Sequence, residues 1–183
     1  MSHMQKLTQY HPLSKFLHWS VVLLVSVQFL TSFIMSGLGR NTSPDVFLNL
    51  HMSFGVFVAP FAIALLVIRF VRPVESITPP TLRLGDRLAL AMHYMLYILL
   101  VAIPISGDAF ASSHGVTVRV FGLFDLPTIF ANSSSLGRTI GGAHSFLAWT
   151  IAVLVLGHFV AALYHHYIMK DLVLVRMLPS SGK

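Results

Sequence analysis

The 183-residue chain predicts an all-α membrane protein, a bundle of four transmembrane helices with both termini in the cytoplasm. Three observations carry this. Hydrophobic residues make up 55% of the chain and charged ones 10%, against about 25% charged in an ordinary soluble domain; the mean hydropathy is +0.77. The apolar residues gather into four blocks, each of the roughly 20 residues that a membrane helix needs. The basic residues lie between these blocks and not along one face. That sets aside the nucleic-acid partner that 12 Lys and Arg against 6 Asp and Glu would otherwise invite.

Met1–His3 reads as a tag remnant ahead of native numbering from Met4, and residues 4–183 as one transmembrane domain. The first block, 16–35, has no small-residue cleavage site behind it and reads as a retained helix. The second, 47–71, contains Pro60, and the third, 88–110, contains Pro104. Both prolines are tolerable in lipid as kinks whose freed backbone groups find other partners. "PISG" at 104–107 is expected to bend the third helix near its end. The fourth block is 141–169, and charges enter these blocks only at their ends, as Arg69 and Asp108. The long connection, 111–140, holds "VTVRVFGLFDLP", a mixed segment expected to rest on the membrane surface.

The connections set the orientation. Lys6, Lys15, Arg69, Arg72, Arg83, Arg87, Lys170, Arg176 and Lys183 put nine basic residues on one side, and Arg40, Arg119 and Arg138 put three on the other. Cytoplasmic loops carry the excess of Lys and Arg, so the richer side, with both termini, is the cytoplasmic one. The absence of cysteine excludes disulfides, thiolate-held iron–sulfur clusters and a c-type haem attachment.

The stretch "GGAHSFLAWTIAVLVLGHFVAALYHH", 141–166, carries His144, His158, His165 and His166 with no carboxylate or lysine beside them. A lone histidine in a membrane helix is as readily a hydrogen-bonded packing residue as a ligand. Seven across the four spans, with His18, His51 and His93, are harder to dismiss, because ionisable groups in lipid are costly. Depth pairs them. His51 and His144 lie towards the outer side, His18 and His158 towards the inner. His144 and His158 are 14 residues apart, roughly 21 Å along a helix and close to a whole number of turns, so they share a face. Two cross-helix histidine pairs in a four-helix bundle suit two bis-histidine haems, one near each membrane face. Zinc or copper is the competing metal, since imidazole suits both. A transport path for such ions would add carboxylate or thiolate ligands, and the cores of the spans have none.

The residues resemble the bacterial cytochrome b561 family from Tyr10 to Pro179. The markers are "LHW" at 17–19, "LHMSFG" at 50–55, "MHYMLYILLVAIPISG" at 92–107, "GAHSFLAW" at 142–149, "GHFVAALYHHYIMKD" at 157–171 and "LVRMLP" at 174–179. The resemblance implies a four-helix bundle in the bacterial inner membrane with two b-type haems. It implies His18 and His158 as axial ligands of the inner iron, and His51 and His144 as those of the outer iron. The best-defined activity of such proteins is superoxide oxidase, which oxidises superoxide at the outer face and reduces ubiquinone near the inner face. Other branches are electron-transfer cytochromes, and similar bundles anchor dehydrogenases. The alternative is therefore a relay passing electrons between quinone and a partner redox protein. A ferric or ascorbate reductase is a third reading, but the eukaryotic relatives it draws on have more spans.

Two axial imidazoles leave iron no open position, which suits outer-sphere electron transfer. Arg138, Arg119 and Arg40 are candidates to attract an anionic substrate such as superoxide at the outer face; each is otherwise an ordinary interfacial arginine. His93 and His165 are candidates for the quinone head group, or for a haem propionate, because imidazole both hydrogen-bonds and delivers protons near neutral pH. His165 is seven residues beyond His158, hence on nearly the same helical face, and His166 is expected to meet lipid head groups or solvent. Arg69 and Arg72 are candidates for propionate pairing. Gly55, Gly142 and Gly157, near the ligand histidines, would let a flat macrocycle or a neighbouring helix approach.

Overall fold

The computed structural model describes residues 9–37, 45–73, 84–128 and 134–179. Four long helices, α1 (Pro12–Gly37), α2 (Asp45–Val71), α3 (Leu84–Ser113) and α4 (Ser134–Tyr164), account for most of them. All four are long and apolar enough to cross a membrane. They begin earlier than the apolar blocks do, because hydropathy marks only the lipid-embedded part of a helix. Backbone hydrogen bonding continues beyond it. Pro12 opens α1, where its missing N–H costs nothing. Pro60 and Pro104 lie inside α2 and α3, which run through them.

Successive helices pack in antiparallel sequence, α1 on α2, α2 on α3 and α3 on α4. Val21, Val58, Ala62, Leu99, Leu100 and Ile151 are buried where they meet. This layer is mid-bundle: Ile151 is seven residues from both His144 and His158. The outward surface is just as apolar. Leu23, Phe33, Phe70, Ile98, Phe146, Trp149 and Val153 are all exposed. A helix apolar all round is stable only where its outer face meets lipid.

The connection after α3 is ordered against the bundle. It folds as a hairpin, β1 (Arg119–Val120) antiparallel to β2 (Phe124–Asp125), with Val118 and Val120 buried. Phe121 and Gly122 turn the chain at positive φ, 49° and 74°. Glycine accepts that conformation freely and phenylalanine does not. Phe121 is held there from α2. Its N–H donates to Ser53 Oγ at 2.8 Å, and its ring meets Phe54 edge-on at 5.1 Å and stacks on Phe57 at 6.1 Å. The segment satisfies its backbone by pairing with itself and packing on α2.

The opposite end of the bundle carries both termini. After α4 the chain makes a π-helical turn, His165–Met169, passes Lys170 in the left-handed region (φ 53°) and forms a short helix, α5 (Val173–Met177). The tail folds back on α1. Lys15 Nζ donates to the Leu178 carbonyl and to Gln9 Oε1, both at 2.8 Å, and Trp19 Nε1 donates to the Met177 carbonyl at 3.1 Å. Arg176 lies over the Tyr10 ring, 5.5 Å from its centroid. Lys15 and Arg176 are only 7% and 5% exposed.

Candidate functional site

A cavity of about 1190 Å³ occupies the hairpin half of the bundle. All four long helices line it, with Val116, Val118 and Leu126 from the hairpin connection closing one end. Its walls are almost wholly apolar, and His51 on α2 and His144 on α4 both belong to them. Gln28 of α1 braces the first of these, its Nε2 donating to the His51 carbonyl at 3.0 Å. His51 Nδ1 faces the Thr31 hydroxyl at 3.2 Å, and His144 Nδ1 faces the Ser106 hydroxyl at 3.0 Å. Gly107 makes room for the second ring: a Cβ there would stand 3.1 Å from His144 Cε1.

Three histidines meet at the terminal end. The His18 and His158 rings are 6.4 Å apart, and the His93 and His158 rings 5.2 Å. The first spacing suits two imidazoles on opposite sides of one metal ion, each metal–nitrogen bond being about 2 Å. His93 Nδ1–H donates to the Ala89 carbonyl at 2.6 Å, which leaves its Nε2 with the lone pair. Beside it, Arg69, Tyr94, Tyr97, Leu66, Phe70 and Leu90 line a small hollow. Arg72 lies exposed beyond the end of α2.

His165 has a different neighbour. It ends the regular α4 register, and a π-turn begins at this residue. Its Nδ1 pairs instead with Asp171, whose other oxygen accepts from Val173 N–H at 3.1 Å. His166 is half-buried against the Tyr167 ring, with its Nδ1 shut away from solvent.

Of the three outer arginines, Arg40 lies outside the described residues. Arg119 is committed to Asp125 by a two-pronged bridge, Nε to Oδ1 at 2.7 Å and Nη2 to Oδ2 at 3.0 Å. The pairing raises the Arg119 pKa and holds the Asp125 carboxyl below the usual carboxylate range. Arg138 is exposed on the first turns of α4, next to Gly137, against which the His114 ring packs. The glycines that allow close approach are Gly107, Gly137 and Gly141. Gly142 and Gly157 have open space around them, and Gly55 faces Gln28. Sequence reasoning missed Thr31 and Ser106 because serine and threonine are ordinary in membrane helices. Their helical register against the histidines was the one available signal.

The model of the prokaryotic cytochrome b561 family matches residues 9–180. The chain belongs to that family. It is a bacterial multi-pass membrane protein of an electron-transfer family that carries b-type haem. It is 32% identical over 182 residues to cytochrome b561 homolog 2 of Escherichia coli (strain K12), covering 95% of this chain and 93% of that one. It is 30% identical over 164 residues to the probable superoxide oxidase CybB of Yersinia pestis, covering 89% and 92%. Cytochrome b562 of Cereibacter sphaeroides is 27% identical over 169 residues, covering 88% and 90%. The residues present fit a haem. The cavity is apolar, large enough for a macrocycle, flanked by two neutral nitrogen donors and relieved by glycine beside one of them.

Proposed function

We propose that this cytochrome b561 holds two b-type haems, His51 with His144 at the hairpin end and His18 with His158 at the terminal end. We propose further that it oxidises superoxide at the first and reduces ubiquinone at the second. The observation that carries the reading is the placement of two imidazole pairs at opposite ends of one bundle, with α4 contributing to both. The positive-inside balance puts the terminal end in the cytoplasm. The relationship to a probable superoxide oxidase supports the substrate.

Bound haem supplies a one-electron carrier, and the chain does the rest. His51 with His144, and His18 with His158, would hold the two haems through their imidazole nitrogens, a ligand set that would suit outer-sphere electron transfer. Arg138 supplies outer positive charge that Arg119, neutralised by Asp125, does not. Arg40 adds to it in the proposal. Quinone reduction takes two electrons and two protons. His93, with a free Nε2 in a hollow shared with Arg69 and Tyr97, hydrogen-bonds the head group, and His165 holds a proton against Asp171. Arg69 and Arg72 are exposed cations for propionates at this end; Lys15 and Arg176 are already enclosed by protein. A second reading, a relay docking a partner redox protein, is favoured by one feature: Leu123 at the hairpin tip is 80% exposed.

Rapid mixing of the oxidised, detergent-purified protein with superoxide tests the choice. Haem reduction that superoxide dismutase abolishes and ubiquinone reverses establishes the oxidase. Normal haem bands that ignore superoxide establish the relay. The ligand assignment has its own test: His158→Ala loses the terminal-end haem alone and His51→Ala the hairpin-end haem alone. Full retention of both haems in either variant sinks the pairing.

A further inference from the structure

His51 and His144 are held in the same way from two different helices. Each hydroxyl beside their Nδ1 atoms carries one proton, and that proton is already committed. Thr31 Oγ1 donates to the Val27 carbonyl at 2.8 Å, with the Gln28 carbonyl at 3.1 Å, and Ser106 Oγ donates to the Ile103 carbonyl at 2.8 Å. A hydroxyl whose proton is spent offers a neighbour only its lone pairs. Nδ1 is therefore the protonated nitrogen in both rings, and it donates to the hydroxyl oxygen. Nε2 is left with the lone pair that binds metal. His18 and His158 have no such hydroxyl. Among the described residues their ring contacts are with Trp19, His93 and each other.

We propose that Thr31 and Ser106 are positioning residues of the hairpin-end haem, fixing the tautomer and strengthening both of its imidazoles as ligands. The proposal rests on the assignment of His51 and His144 as axial ligands. An acceptor on the far nitrogen makes a ligating imidazole more basic, and a more basic ligand favours ferric over ferrous iron. The hydroxyls therefore lower the potential of this haem and not of the other. The asymmetry biases electrons away from the hairpin end and towards the terminal end.

The test is a potentiometric titration, with electron paramagnetic resonance of the ferric state, on haem-loaded Thr31→Val, Ser106→Ala and the double variant. The hairpin-end potential rises, most in the double variant. The shift approaches a tenfold change in the ferrous-to-ferric ratio, which is 59 mV for one electron. Its ferric signal moves, and the terminal-end haem stays where it was. Thr31→Ser, which keeps the hydroxyl, keeps the native potential. If the double variant loses its haem, the single variants and Thr31→Ser decide the matter. A hairpin-end potential and signal unchanged across haem-retaining variants overturn the proposal. The axial assignment fails separately, if His51→Ala retains both haems.

Discussion

Ser53 is the smallest side chain on which the shape of the hairpin end depends, and replacing it by alanine isolates one hydroxyl. The residue is wholly buried in α2. It accepts from Phe121 N–H at 2.8 Å, donates to Asn49 Oδ1 at 3.0 Å, and stands 3.4 Å from the Arg119 carbonyl. Ser53→Ala leaves the Phe121 N–H without this partner where the hairpin packs on α2. An unsatisfied buried donor costs about 1–3 kcal/mol. It also removes the bond that offsets the left-handed backbone of Phe121, a conformation costing roughly 1–2 kcal/mol in a non-glycine residue. With about 2 kcal/mol lost, opening of the hairpin becomes roughly 30 times more frequent, since 1.4 kcal/mol is a factor of ten. Hydrogen exchange at the Phe121 and Leu123 amides reads this opening directly. Because Val116, Val118 and Leu126 wall the cavity, a hydrophilic reductant should also reach the hairpin-end haem faster in the variant. Exchange at these amides within threefold of the native rate would show that hairpin docking rests on the aromatic contacts alone, and the reasoning from Ser53 would fail.

Other outcomes follow from the same contacts. Gly141→Ala puts a Cβ 2.6 Å from the Phe110 ring, so α3 and α4 must part, at a cost of about 1–3 kcal/mol. Its thermal midpoint in detergent falls, whereas Gly142→Ala, with open space around it, leaves the midpoint alone. Lys15→Met removes a buried ammonium from two carbonyl-type acceptors, each bond to a charged group being worth about 1.5–3 kcal/mol. The α5 tail then becomes sensitive to carboxypeptidase while the haem spectrum is kept. Asp125 has its carboxyl pKa depressed by Arg119, so its contribution is fully present above the ordinary value of 3.8 and is lost as pH falls through the lowered one. Hairpin protection, taken relative to the intrinsic exchange rate at each pH, is accordingly flat from neutral pH down to that range and falls below it. Asp125→Asn abolishes the acid step.

The bundle was legible because its signal is redundant. Every turn of α1 through α4 inside the apolar blocks repeats the same requirement for lipid, and hydropathy survives any misplacement of a boundary by a turn. The histidine depths were legible for a related reason: a regular helix converts residue number into height and angle, so His144 and His158 could be stacked on paper. That conversion says nothing of partners supplied by a following turn: the chain after the π-turn sets Asp171 against His165, and nothing in "YHHYIM" announces it. It is silent also on contacts between helices, where rotation about each axis decides which small residue faces which ring.

The composition, block lengths and charge placement by themselves determined a four-helix membrane protein, and the spacing along α4 determined that its histidines serve two depths. Those are properties of one segment in one solvent. Only the tertiary structure decided which glycines admit a neighbour, that Asp125 occupies Arg119, that Thr31 and Ser106 stand behind His51 and His144, and that Ser53 holds a hairpin over the cavity. Each of these depends on the relative rotation of two helices or the register of a turn. The energies that choose among rotations are sums of many small contacts between segments far apart in the chain, and no single segment carries them.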